Sequence, residues 1–220
     1  MTMKNTSCTE KFLGLLENNG NIELQKAYNN LANNVIHFHL DGKCKKIAIT
    51  SSIYGEGKTS LAINLSISLA ENLIDKKILL VDGDMRHPNI KNFISSQKNV
   101  EEGSLLSEFL LDNEKELCFA KSHINNLDFV FSDRVQANPN GLINSSRMDE
   151  FIKLCEEKYD YLIIDTPPAN DFADAMSFVK IVNGYIISTK SRTSKIPMIS
   201  STADALTSIG ATIFGVVLTK

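Results

Sequence analysis

Short apolar runs recur along the chain at 47–50, 78–82, 127–131, 161–165, 184–188 and 213–218, each bounded by polar or turn-forming residues. Runs of this length predict strands buried on both faces, as in a parallel sheet. Between most of them the pattern changes to a helical period. Leu61, Leu65, Leu69 and Leu73 recur every four residues, which predicts a helix laying one apolar stripe on that sheet. Met148, Phe151, Ile152 and Cys155 mark a second such face, and Ser146-Arg-Met-Asp149 ahead of it has the spacing of a capping box. Ile22 to Leu40 reads as a leading helix that stops at the polar turn Asp41-Gly-Lys-Cys-Lys-Lys46. Residues 1–21 carry no strong period and read as a flexible N-terminal arm or weak helix. Strand and helix alternating in this way predict an α/β fold with a mostly parallel central sheet and helices on both faces. Residues 22–220 are expected to form a single domain, which the chain length suits.

The first of these strands runs straight into glycines: Ile47-Ala-Ile-Thr-Ser-Ser-Ile-Tyr-Gly-Glu-Gly-Lys-Thr-Ser60. Such a turn, opening a helix, points backbone N–H groups at an anion. Gly55, Glu56, Gly57 and Ser60 supply the loop, Lys58 can reach the β- and γ-phosphates of a nucleotide, and the Thr59 hydroxyl can ligate Mg²⁺. The strict G-x-x-x-x-G-K-[ST] pattern is not met, because Ser52 stands where its first glycine would be.

Two further strands end in carboxylates. Ile78-Leu-Leu-Val-Asp82-Gly-Asp84-Met-Arg86-His-Pro88 places two acids just past an apolar run, and Tyr161-Leu-Ile-Ile-Asp165-Thr-Pro-Pro168 places one. In a parallel sheet the carboxyl ends of strands line the ligand crevice, so these acids are expected on the same rim as the glycine loop. Asp84 and Asp165 would then join Thr59 around a metal. The plainer alternative is that Asp82 or Asp84 caps the turn that follows it.

Together these residues resemble the bacterial tyrosine kinases of capsule and exopolysaccharide synthesis, a branch of the P-loop ATPases that also holds the partition and septum-placement ATPases. The resemblance runs from about Glu23 to the last residue. It rests on Ala27-Tyr28 with Leu31, the Gly-Glu-Gly-Lys loop, Asn64-Leu65, the Asp-x-Asp-x-Arg-x-Pro element, Asn138-Pro139 through Met148, and Asp165-Thr-Pro-Pro. It implies a P-loop NTPase fold, ATP and Mg²⁺ as cofactors, a tyrosine-bearing protein substrate, and a membrane polysaccharide co-polymerase as activating partner. It also implies that Lys58, Asp82 and Asp84 are catalytic, with Asp82 near the γ-phosphate orienting or deprotonating the attacking hydroxyl. A metal role for Asp82 stays open. Arg86 either contacts phosphate or pairs with an acid.

The chain also departs from that family. The charged E-x-x-R-x-x-R positions of the leading helix, used for ring assembly, are here Lys26, Asn29 and Ala32, so the family-type ring is not expected. The last tyrosine is Tyr185, leaving no tyrosine-rich tail in the sequence, and Thr219 and Lys220 follow Leu218 where the family has an asparagine beside the base. A nucleotide-dependent regulatory module without kinase activity is therefore an alternative. A partition-type ATPase is a third, weakened because Ser52, Ile53 and Tyr54 occupy the place of its signature lysine.

Composition narrows the setting. A net charge of −3 and a pI near 5.8 give no basic footprint for nucleic acid. The apolar runs are too short to span a bilayer, and the N-terminus lacks the apolar core of a secretory signal, so a cytoplasmic protein is expected, recruited to the membrane by its partner. Cys8, Cys44, Cys118 and Cys155 have no C-x-x-C spacing and are expected as reduced thiols, with Cys155 on a buried helix face. His37 and His39 flank Phe38 without a further ligand nearby, and read as structural.

Overall fold

The computed structural model describes residues 22–38, 42–95, 102–132 and 136–219; the expected arm at 1–21, His39 and Cys8 lie outside the described residues. Helix α1 (Ile22–Ile36) leads into β1 (Lys45–Ser51), the glycine loop and α2 (Lys58–Asn72). There follow β2 (Ile78–Asp82), α3 (Ile90–Ser95), α4 (Leu106–Leu111), β3 (Ala120–Lys121) and β4 (Leu127–Val130). The second half comprises α5 (Pro139–Ile143), α6 (Ser146–Lys158), β5 (Tyr161–Asp165), α7 (Asp174–Ser177), β6 (Gly184–Lys190), α8 (Ile196–Ser208) and β7 (Ile213–Thr219). The strands form one sheet in the order β3-β4-β2-β5-β1-β6-β7, parallel throughout except for β3 against β4. All six expected strands are present, but β7 is an edge strand with Val216 and Leu218 exposed, so the expected burial on both faces fails there. The additional one, β3, has only two residues and so carries no readable period.

Because side chains alternate across a strand, each central strand feeds two cores. Ile47, Ile49, Ile78, Leu80, Phe129 and Ile163 pack on one face beneath α2 and α1. Ala48, Leu79, Val81, Val130, Leu162 and Ile164 pack on the other, with Phe109 of α4, Met148, Phe151 and Cys155 of α6, and Phe178. Cys155 is buried as expected.

Helix α2 is more enclosed than its leucine stripe suggests. Asn64, Ser66 and Ser68 are buried along with the apolar positions, because α1 covers the side turned away from the sheet with Tyr28, Leu31, Ala32 and Val35. Two of those polar groups bond back into their own helix: Ser66 Oγ donates to Ala62 O at 2.8 Å and Asn64 Nδ2 to Ser60 O at 2.8 Å.

Two expected boundaries shift. Helix α1 ends at Ile36, before the polar turn, instead of running on to Leu40. The cap of α6 is Ser145 and not Ser146: Ser145 is extended, its side chain accepts from the Met148 N–H at 3.2 Å, and Ser146 is already the first helical residue.

Candidate active site

The sheet order sets β2, β5 and β1 side by side, and the register aligns Asp82 with Asp165 and Asp165 with Ile49. The two aspartates therefore end their strands at one level, just where β1 turns into the glycine loop. Gly83, between Asp82 and Asp84, donates its N–H to Asp165 O at 2.8 Å, and a Cβ there would meet that same oxygen at 2.8 Å. Only glycine lets β2 leave the sheet this close to β5, which brings Asp84 back over the site.

The loop is shaped by Gly55 and Gly57, whose φ values of 84° and 81° belong to the left-handed region. It is braced from beneath by Glu56, whose buried carboxylate accepts from the Ser52 N–H at 2.7 Å, the Ile53 N–H at 3.0 Å and the Ser194 hydroxyl. The Glu56 carbonyl accepts from Ser188 Oγ at 2.6 Å and Thr219 Oγ1 at 3.1 Å, tying the loop to the ends of β6 and β7. Ser188, Ser194 and Thr219 were not readable as site residues, since nothing in their local sequence points to a loop more than a hundred residues away.

At the first turn of α2, Lys58 Nζ lies 2.9 Å from Asp84 Oδ2 and 3.8 Å from Asp165 Oδ1, and Thr59 Oγ1 donates to Asp165 Oδ2 at 2.6 Å. Asp82 turns inward instead: its Oδ2 accepts from the Asn89 and Ile90 N–H groups, each at 3.0 Å, at the start of α3. That is the turn-capping geometry, and it leaves Oδ1 buried without a hydrogen bond. Arg86 pairs through its guanidinium with Asp174, Nη2 to Oδ1 at 3.2 Å, and stacks over the Phe172 ring at 4.4 Å.

The electrostatics follow from crowding buried carboxylates around one ammonium. Burial, reinforced by Asp165, raises the Asp82 carboxyl well above its ordinary value. Burial also pushes Asp165 up to about 6 despite Lys58. For Lys58, burial works against the charge, but Asp165 and Asp84 outweigh it and hold the ammonium above its usual pKa. The site is short of positive charge. Asp165 Oδ1 accepts no hydrogen bond although fully buried, and it sits on the same carboxylate as the Thr59 contact. This hard-oxygen set of Thr59, Asp84 and Asp165 fits Mg²⁺, which is held by one or two carboxylates together with phosphate oxygens. Among the described residues no group of three or more His, Cys, Asp or Glu forms a metal cage.

Gly55, Gly57, Lys58, Thr59 and Ser60 line a cleft of about 860 Å³ that runs to Tyr28 and Leu31 of α1 and to Val217 and Leu218 of β7. Tyr54, His87 and Asn89 also line it, three positions to which the motifs assigned no binding role. No helix among the described residues is long and apolar enough to cross a membrane.

Residues 44–202 match the AAA domain family. Tyrosine-protein kinase CpsD of Streptococcus pneumoniae serotype 4 is 33% identical, the alignment covering 89% of this chain and 84% of that protein. Tyrosine-protein kinase YwqD of Bacillus subtilis is 28% identical over 87% of this chain and 78% of its own. In structure, the chimerical protein CapA2B2 superposes with a TM-score of 0.80 at 28% identity, covering 95% of this chain and 89% of that one. With the phosphate loop, the paired acids and the sheet order already in place, the chain belongs to the AAA-domain P-loop ATPases and, among them, to the bacterial tyrosine-protein kinases.

Proposed function

We propose that the protein transfers the γ-phosphoryl group of ATP to a tyrosine hydroxyl, and that it does so in capsular or exopolysaccharide synthesis, activated by a membrane polysaccharide co-polymerase. The observation that carries this reading is the cluster Lys58, Thr59, Asp84 and Asp165 at the mouth of the glycine loop. Phosphoryl transfer needs charge neutralisation and alignment more than covalent help. Lys58 would sit against the β- and γ-phosphates, exchanging some of its contact with Asp84 for phosphate oxygens. Backbone N–H groups of residues 55–60 would cradle the phosphates. Thr59, Asp84 and Asp165 would hold Mg²⁺, which offsets phosphate charge when bound.

In the transfer the phenol oxygen forms a bond to the γ-phosphorus while the bond from that phosphorus to the β,γ-bridging oxygen breaks, releasing ADP. The phenol's proton passes to a carboxylate of the rim. Asp82 suits that task on one count: its raised pKa makes it a stronger base than an exposed acid. Its inward geometry requires a small shift to bring Oδ1 to the acceptor.

The ring contact of relatives is not part of this reading. Lys26 is exposed on α1, while Ala32, where an anchoring arginine would stand, is fully buried. A regulatory module that binds ATP without transferring phosphate is the reading to set against this one. Incubating the protein with γ-labelled ATP, Mg²⁺ and the cytoplasmic segment of a co-polymerase, followed by phosphoamino-acid analysis, separates the two. Phosphotyrosine that disappears with Lys58→Ala is expected; MgATP binding without any phosphotyrosine would leave the regulatory reading in place.

A further inference from the structure

The rim of the phosphate site carries an aromatic cluster drawn from three loops. Tyr54 comes from the glycine loop, His87 from the turn after Asp84, and Phe172 from the segment after β5. The His87 ring stands 4.5 Å from the Tyr54 ring at 65°, with the Tyr54 hydroxyl 2.7 Å from His87 Nδ1. The Phe172 ring stands 6.1 Å from Tyr54 at 66°. Lys58 Nζ, the group expected on the γ-phosphate, is 5.4 Å from the Tyr54 ring centre.

None of these rings belongs to either hydrophobic core, and all three keep contact with solvent. Packing the interior therefore does not account for them. Nor does binding the phosphates, which backbone groups and Lys58 already serve. What the cluster has is position: one ring borders the ammonium that meets the terminal phosphate, and the others extend outward from it, past Asp84, whose Oδ1 accepts the His87 N–H at 3.0 Å. An incoming aromatic side chain finds ring edges there at the spacing aromatic pairs prefer, beside a Phe172 face that carries the Arg86 guanidinium at 4.4 Å. An aliphatic serine or threonine finds none.

We propose that Tyr54, His87 and Phe172 form the acceptor subsite, holding the phenol ring of a substrate tyrosine beside the γ-phosphate and selecting it over aliphatic hydroxyls. The inference rests on the kinase reading and names the part of the site that reads the acceptor.

Phe172 is the position to test, because it does not line the nucleotide cleft. Its replacement by Leu keeps the volume and loses the ring, while replacement by Tyr keeps both. The probe is a synthetic Glu-Tyr copolymer, with kcat and KM for the copolymer measured alongside the affinity for MgATP. Phe172→Leu should lower kcat/KM for the copolymer by about three- to tenfold, the worth of a ring–ring contact, chiefly through KM. Phe172→Tyr should restore it, and MgATP affinity should stay at the parent value in both. Equal copolymer kinetics in the parent and Phe172→Leu, or equal losses in the Leu and Tyr variants, would overturn the subsite. A parent protein that binds MgATP yet makes no phosphotyrosine on the copolymer or on the co-polymerase segment would overturn the kinase reading and the subsite with it.

Discussion

Removing the Lys58 ammonium tests the charge balance of the site before any chemistry occurs. In Lys58→Ala the side chains of Asp84 and Asp165, exposed by 0% and 1%, lose their cation. Breaking a buried pair by deleting one partner costs about 3–5 kcal/mol, because the surviving charge stays in the interior. For a domain of this size each kcal/mol moves Tm by about 2–4 °C, so a fall of roughly 6–20 °C is expected in metal-free buffer. Asp84→Asn should offset part of it. The amide keeps an acceptor for the His87 N–H and removes the charge Lys58 was facing, so the double variant should recover about 1–3 kcal/mol over additivity. Saturating Mg²⁺ should recover more in Lys58→Ala than in the parent, since it meets the same deficit. Thermal melts followed by circular dichroism, with and without Mg²⁺, read all three effects. Titration with MgATP under conditions where the variant is folded should show binding weaker by about 10- to 150-fold, as for a lost charged hydrogen bond. An unchanged melting point in Lys58→Ala, or an Asp84→Asn change that deepens its loss, would refute the argument that Lys58 neutralises these carboxylates.

Asp82→Asn keeps an oxygen for the Asn89 and Ile90 N–H groups and removes a charge that burial disfavours. The raised pKa of Asp82 contributes stability below the ordinary carboxylate pKa of 3.8 and loses it as pH rises, so the variant should melt higher than the parent at pH 7, with the gap closing toward pH 4. Phosphotyrosine formation by the same variant should fall by about 10²–10⁴ if Asp82 receives the phenol proton. Gly83→Ala drives a Cβ into Asp165 O and the Ile164 side chain, both at 2.8 Å, and should cost about 1–3 kcal/mol in a urea melt while weakening MgATP binding through a displaced Asp84. Cys44 is pushed up to about 12 by burial, partly offset by Lys46, so its contribution is present below 9.0 and lost as pH climbs toward 12; Cys44→Ala should spare the protein about 3–4 kcal/mol of that alkaline loss, read as the narrowing gap between the two urea midpoints.

What could be read along the chain was whatever local residues express. The interior strands announce themselves because burial on both faces demands apolar runs, whereas β7 carries the same pattern at the sheet edge with Val216 and Leu218 exposed. The glycine loop is legible because its conformation and its ligand both restrict residue choice. The Asp-Gly-Asp spacing was legible as a rim motif, and the capping alternative for Asp82 was legible too. Pairings across sequence were not. Arg86 meets Asp174 88 residues away, and neither residue's neighbours point to the other. The burial of Asn64, Ser66 and Ser68 in α2 was hidden because nothing local shows that α1 covers them. Adjacent serines at 145 and 146 offer two capping registers, and the extended backbone of Ser145 with its bond from the Met148 N–H takes the first.

The brace under the phosphate loop changes what nucleotide exchange can do to this protein. Glu56 already satisfies the Ser52 and Ile53 amides, and its own carbonyl is tied to Ser188 and Thr219. The loop is therefore preorganised, and little ordering entropy is spent when phosphates arrive. Amide hydrogen exchange at Ser52 and Ile53 should be slow with or without nucleotide, while residues 55–60 gain protection only when phosphate is bound. A loop that keeps its shape through the cycle cannot serve as the moving part of a switch. Structural signalling between ATP and ADP forms would then travel through the Asp84–His87 turn, which borders the cleft outside the brace.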